Sequence, residues 1–263
     1  MEWALLLVSL GASMIGAVCG IGGGVIIKPV LDMLALGTPA TISFLSGCTV
    51  LSMSMYSIVK AVLSRQALVD FKVGTPLALG AALGGVLGKI WFVELSNLLP
   101  TPQKVGGYQA LCLMIITFFT MVYTLRQNKI KTLHVSSVFL CMIIGLALGV
   151  CSSFLGIGGG PINLVVLYYF FSMPTKKAAQ NSLYIILISQ ITALLTTFAT
   201  NSVPPFQGAW LAIMVTGGIL GGILGRVCNR RLHSVQIQRL FLGCIAIIIF
   251  ISGYNAVTGL LMS

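Results

Sequence analysis

Negative charge is almost absent from this chain. Its 263 residues include four Asp or Glu against fifteen Lys or Arg. Charged residues together reach only 7%, where a water-soluble domain carries roughly 25% to cover its surface. That excludes a soluble globular protein. Two His and four scattered acids also supply no nucleophile–base pair or metal cluster within the apolar runs, so no enzyme, metal or cofactor is expected. The seven Cys are odd in number and lie mostly inside apolar segments. They read as small core residues, without the spacing of a disulfide framework or metal site. No basic region precedes the first apolar run, which follows Glu2 directly, so no cleavable signal peptide is expected.

What is abundant is apolar surface. Hydrophobic residues make up 57% of the chain, which makes the lipid bilayer its solvent. The formal net charge of +11 does not point to nucleic acid, because the Lys and Arg lie in short loops between apolar runs. That is the positive-inside pattern of a membrane protein.

The chain also repeats itself. Gly20-Ile21-Gly22-Gly23-Gly24 recurs as Gly156-Ile157-Gly158-Gly159-Gly160. The ladder Gly80, Gly84, Gly88 followed by Lys89 recurs as Gly217, Gly221, Gly225 followed by Arg226. The first pair is offset by 136 residues and the second by 137. Two ordered matches at one offset indicate an internal duplication, which in an apolar chain marks a secondary transporter.

Five apolar segments fall in each half. They cover 2–19, 25–36, 40–63, 73–93 and 105–125, then 133–155, 161–172, 178–199, 208–226 and 240–260. Most are long enough to span the ~30 Å hydrocarbon core as helices. The second of each half, at about twelve residues, reaches only ~18 Å and follows a GIGGG break. The expected fold is an all-α polytopic membrane protein. It has a first repeat over 1–125, a cytoplasmic linker over 126–132 and a second repeat over 133–263. Loop charge favours inverted halves. Loop 64–72 carries Arg65 and Lys72 while its counterpart 200–207 carries no Lys or Arg, and 37–40 is uncharged while its counterpart carries Lys176 and Lys177. Five crossings per half reproduce this mirrored bias, with both termini outside the cytoplasm and the broken short helices meeting near the midplane.

A Rossmann reading of the glycines needs a preceding strand and an acid ~20 residues on. No acid lies between Asp32 and Asp70, and the setting is a membrane helix. Two roles fit Gly20, Gly22, Gly23, Gly24, Gly156, Gly158, Gly159 and Gly160. They bring backbone N–H groups and a helix start up to an anion, or they let helices cross closely. Lys28 stands in the first turns of the short helix. An intramembrane Lys is a functional candidate by default, and it can either neutralise a bound anion or pair with Asp32 at i+4. Asn163 holds the matching place in the second half. Ser46 aligns with Asn181, and with Ser182 these supply groups for substrate oxygens or for cross-helix hydrogen bonds. Gln190 and both glycine ladders read as packing, and His134 and His233 as surface residues.

Two GxGGG breaks, a proline-bearing short helix after each and a following polar helix resemble the TauE/SafE family of sulfite and organosulfonate exporters. The resemblance spans nearly the whole chain and rests on Gly20 to Gly24 and Gly156 to Gly160. It implies a multi-pass transporter in a bacterial or archaeal cytoplasmic membrane. The implied substrate is a small sulfur-containing anion such as sulfite or sulfoacetate, moved by alternating access. An anion channel, or a carrier for other small oxyanions or carboxylates, is the alternative.

Overall fold

In a bilayer every backbone N–H and C=O must find its partner inside its own segment, so apolar runs of this length fold as helices. A computed structural model of the chain describes residues 2–34, 36–65, 67–98, 102–157 and 159–261. These residues form α1 (Glu2–Cys19), α2 (Gly24–Met33), α3 (Pro39–Leu63), α4 (Phe71–Leu98), α5 (Pro102–Arg126), α6 (Val138–Leu155), α7 (Pro161–Phe171), α8 (Thr175–Ala199), α9 (Gly208–Arg231) and α10 (Ser234–Leu261). No strand occurs among the described residues. Eight of the helices are long and apolar enough to cross a membrane, and α2 and α7 are the short exceptions. Trp3, Phe119, Phe139 and Phe250 stand exposed on the outer surface, as lipid-facing side chains do.

Helix ends differ from the apolar boundaries where polar residues continue a helix past the hydrocarbon. Thus α9 runs on to Arg231 and α10 starts at Ser234. The opposite correction falls on 133–137, expected as the start of a helix. These residues are non-helical. The Leu133 N–H donates to the Tyr169 carbonyl (2.7 Å) and the Val135 N–H to the Phe170 carbonyl (2.9 Å), clipping the strip to the end of α7.

The first short helix folds back along its predecessor, while the second packs on α8 and α5. Gly20 and Gly156 end α1 and α6 with φ of +80° and +65°, the left-handed conformation that glycine adopts without a Cβ penalty. Beyond the first break, Gly23 lies against Ser13, and Ile27 and Leu31 of α2 pack with Leu5 and Ala12 of α1. Beyond the second, Pro161 occupies the first turn of α7, where its missing N–H is harmless.

The halves interlock. α1 packs most extensively on α9, and α6 on α4; α5 pairs with α10 and α3 with α8. Exchanging α1–α5 for α6–α10 leaves this list of partners unchanged. The glycine ladders make the long crossings possible. A Cβ at Gly80 or Gly84 would strike the Met142 or Leu146 carbonyl of α6, and one at Gly221 would stand 2.5 Å from the Leu10 carbonyl of α1. Backbone approach of this kind drives helix association where lipid removes the hydrophobic incentive.

Side-chain ties define two ends. At one, Lys177 pairs with Asp70 (2.7 Å), Gln180 accepts from the Leu68 N–H (2.7 Å), Ser172 donates to Thr132 (2.6 Å) and Arg226 donates to Ser64 (2.7 Å). At the other, Thr41 donates to the Pro205 carbonyl (3.1 Å) and Lys89 to Ser202 (3.1 Å). Every Lys and Arg except Lys28, Lys89 and Lys104 belongs to the first end.

Candidate functional site

A cavity of about 660 Å³ enters from the end poor in basic residues. Thr38, Lys89, Ser202 and Pro204 stand at its mouth, and Gly156, Gly159, Asn163 and Gln109 line its depth. A second cavity, of about 400 Å³, enters from the basic end beside Arg226, Arg230, Lys176 and Asn229. Helix ends of α3, α4 and α8 frame the first cavity, and their exchange partners α8, α9 and α3 frame the second. Between them lies a layer of glycine backbone and apolar side chains. Ile186, fully buried, reaches both breaks: its Cδ1 lies 3.2 Å from where a Gly22 Cβ would stand, and its Cγ1 lies 2.6 Å from the same point on Gly159.

The two breaks meet. A Cβ on Gly24 would lie 2.6 Å from the Ile157 carbonyl, and one on Gly160 would lie 3.6 Å from Val25. Their glycines play unequal parts. Gly156 and Gly159 line the first cavity. Gly20 backs onto Ala179, Gly22 onto Ile186 and Val50, Gly23 onto Ser13, and Gly24 onto Ile157 and Ser46. Gly158 lies outside the described residues.

Lys28 is buried, with 4% of its surface exposed. Its Nζ donates to Gln109 Oε1 (2.6 Å) and to the Leu155 carbonyl (3.1 Å). Gln109 in turn donates to the Phe154 carbonyl (2.7 Å). The ammonium therefore caps the last carbonyls of α6, where the helix dipole is negative. An Asp32 partner is not formed; among the described residues the ion pair is Lys177–Asp70. An ammonium has three donors, and two are taken. Nζ lies 3.0 Å, and Ser43 Oγ 2.9 Å, from the point where a Cβ on Gly156 would stand. Glycine there keeps a side chain from shielding the charge from the cavity.

The polar candidates on α3, α7 and α8 separate. Asn163 is 2% exposed, lines the cavity, and has no hydrogen-bond partner for its Oδ1. Ser46 and Ser182 are also buried and unpartnered but do not line it, Ser46 lying against Gly24. Asn181 serves a loop instead. Its Oδ1 accepts from the Asp70 N–H (2.9 Å), and its Nδ2 donates to the Leu68 (3.2 Å) and Lys177 (2.8 Å) carbonyls. Of the cavity's polar residues, Ser43 was among the polar groups the sequence offers on α3, Gln190 read as packing, and Gln109 was not singled out. A polar side chain inside an apolar run is the signal that could have found Gln109.

Two breaks meeting at a buried lysine, between cavities from opposite ends of an all-helical membrane bundle, define a membrane transporter. The chain belongs to the sulfite exporter TauE/SafE family, whose model matches residues 5–252. It is also similar to the probable membrane transporter protein YunE of Bacillus subtilis (strain 168), 23% identical over 91% of this chain and 95% of that protein. No solved structure matches it.

Proposed function

We propose that this protein is a secondary transporter that exports a small sulfur-containing anion, such as sulfite or sulfoacetate, by alternating access. One observation carries the reading: the Lys28 ammonium lies directly behind Gly156 and Gln109, which line the cavity, with no carboxylate within ion-pair distance. Asp32, one turn on, offsets this charge only from beyond ion-pair distance; a buried charge so weakly paired is costly, and an anion arriving at Gly156 relieves that cost. The name of the family supports a sulfur oxyanion as the cargo.

The path combines the two cavities. We infer that the repeats are inverted, because exchange of α1–α5 for α6–α10 also exchanges the cavities and the ends they enter from. The basic end is then cytoplasmic by the positive-inside rule, in a bacterial inner membrane. The start of α1 and the end of α10 lie on the far side. The halves rock about the glycine breaks, and Ile186 blocks passage whenever one cavity is open.

Flux into proteoliposomes tests this, with sulfite, sulfoacetate, taurine and acetate offered in turn. A carrier gives saturable flux stimulated by anion on the opposite side. Flux that rises linearly with concentration, without exchange stimulation, means a channel; no anion flux overturns the reading.

A further inference from the structure

Gln190 lies on α8 at the depth of the bilayer, 5% exposed, and lines the first cavity. Among the described residues its carboxamide has no hydrogen-bond partner. Its Oε1 comes within 3.2 Å of where a Cβ on Gly47 would stand, so glycine at 47 leaves it room. Asn163, on α7, is likewise buried; its Oδ1 is unpartnered, and its Nδ2 donor lies 3.1 Å from where a Cβ on the cavity-lining Gly159 would stand. Ser43, on α3, lines the same cavity, and its Oγ (2.9 Å) and Lys28 Nζ (3.0 Å) both approach the point where a Cβ on Gly156 would stand. Buried polar groups are nearly always hydrogen-bonded, and leaving one unpaired costs about 1–3 kcal/mol. Two such groups and the half-buried Ser43 hydroxyl, from three helices around one cavity, mark a ligand contact surface.

We propose that Gln190 and Ser43 are substrate-binding residues which, with Asn163, hold the oxygens of a monovalent oxyanion whose charge is met by Lys28. This rests on the anion-transport reading above. Each carboxamide offers two N–H donors and the serine one O–H, a set suited to an anion with several acceptor oxygens. Charge sets the valence. Among the described residues Lys28, behind Gly156, is the one cation beside the cavity floor, and Lys89 at the mouth is already bonded to Thr197 (2.8 Å) and Ser202 (3.1 Å). A dianion at the floor would keep one charge uncompensated, so a sulfonate head group, or sulfite in its singly charged hydrogensulfite form, fits better than sulfate.

The test is calorimetric titration of the purified full-length protein with methanesulfonate, which carries one charge, and with sulfate, which carries two. Melting curves are taken alongside. Wild type is expected to bind methanesulfonate at least roughly tenfold more tightly than sulfate. Gln190→Leu should weaken methanesulfonate binding roughly ten- to a hundredfold. It should not lower the melting temperature of the ligand-free protein, because it removes an unpaired buried group. Ser43→Ala should weaken binding by a smaller factor, and Gln190→Glu should abolish it by like-charge repulsion. Unchanged affinity in Gln190→Leu and Ser43→Ala overturns the assignment and leaves anion transport standing. Tighter binding of sulfate overturns the monovalent preference. Wild type that binds and transports no anion overturns the transport reading itself.

Discussion

Lys89 and Arg226 hold matching places at opposite ends of the molecule. Each follows the last glycine of its ladder, and each ties its helix to the C-terminal end of a helix in the other half. Lys89 of α4 donates to Thr197 of α8 and to Ser202 just beyond it, while Arg226 of α9 donates to the Ser57 carbonyl of α3 and to Ser64 just beyond it. The match extends the duplication from glycines to side-chain bonds. Lys89→Met and Arg226→Met should each cost about 1 kcal/mol. The two lie at opposite ends and share no partner, so their effects on the melting temperature should add. Strong non-additivity would mean that they act through one shared element.

Asn181 is expected to be structural rather than a contact of the cargo. Asn181→Ala removes three bonds to loop 67–70 and α8, which should lower stability by about 2 kcal/mol. Methanesulfonate affinity in the variant that remains folded should be unchanged. A large loss of affinity without loss of stability would return Asn181 to the binding site.

Acid should loosen the same loop. The Lys177 ammonium holds the Asp70 carboxyl below its usual value. The pair therefore stabilises the fold above the ordinary carboxylate range, and its contribution fades as pH falls below about 4, through the folded value. Both groups are about one-third exposed, so the effect is small. Melting temperature followed from pH 7 into that range should fall more for wild type than for Asp70→Asn. Parallel curves would show that the pair contributes nothing.

Gly84 and Gly159 should fail in different ways when changed to Val. A Cβ on Gly84 strikes the Leu146 carbonyl inside the α4–α6 crossing, an overpacking cost of about 3 kcal/mol. That should show as a low yield of folded protein. Gly159 lines the cavity beside Ile186 and Asn163 with a φ of +119°. Its Val variant is strained at that φ and meets Ile186, so some yield should be lost too, but the protein that folds should not transport. Normal transport per folded molecule would place Gly159 in packing alone.

Much of the architecture was legible because glycine pattern and apolar length are local signals. GIGGG marked both breaks, and the ladders marked the crossings of α4 with α6 and of α9 with α1. The site was less legible. The partner of Lys28 is Gln109, 81 residues away, whereas sequence offers only the neighbour Asp32. Helical phase was also hidden. α3 is apolar on most faces, so nothing in its pattern sets cavity-facing Ser43 apart from Ser46, one turn on and packed against Gly24. Gln190 and Asn181 sit on one helix, and for the same reason nothing in its pattern shows that the first lines the cavity while the second bonds loop 67–70. The strip 133–137 misled because its partner, the end of α7, lies more than thirty residues away.

The central claim is that the charge of Lys28 draws an anion to the floor of the cavity. Titrating sulfite into purified wild type, Lys28→Met and Lys28→Gln tests it most directly, with melting curves taken on each. Lys28→Gln keeps hydrogen-bond donors for the end of α6 but carries no charge, which separates capping from attraction. Both variants are predicted to bind sulfite one to two decades more weakly, since one charge-assisted contact is worth roughly 1.5–3 kcal/mol. Lys28→Gln is predicted to melt closer to wild type than Lys28→Met. Sulfite binding at full affinity by a stable Lys28→Gln protein would contradict the account.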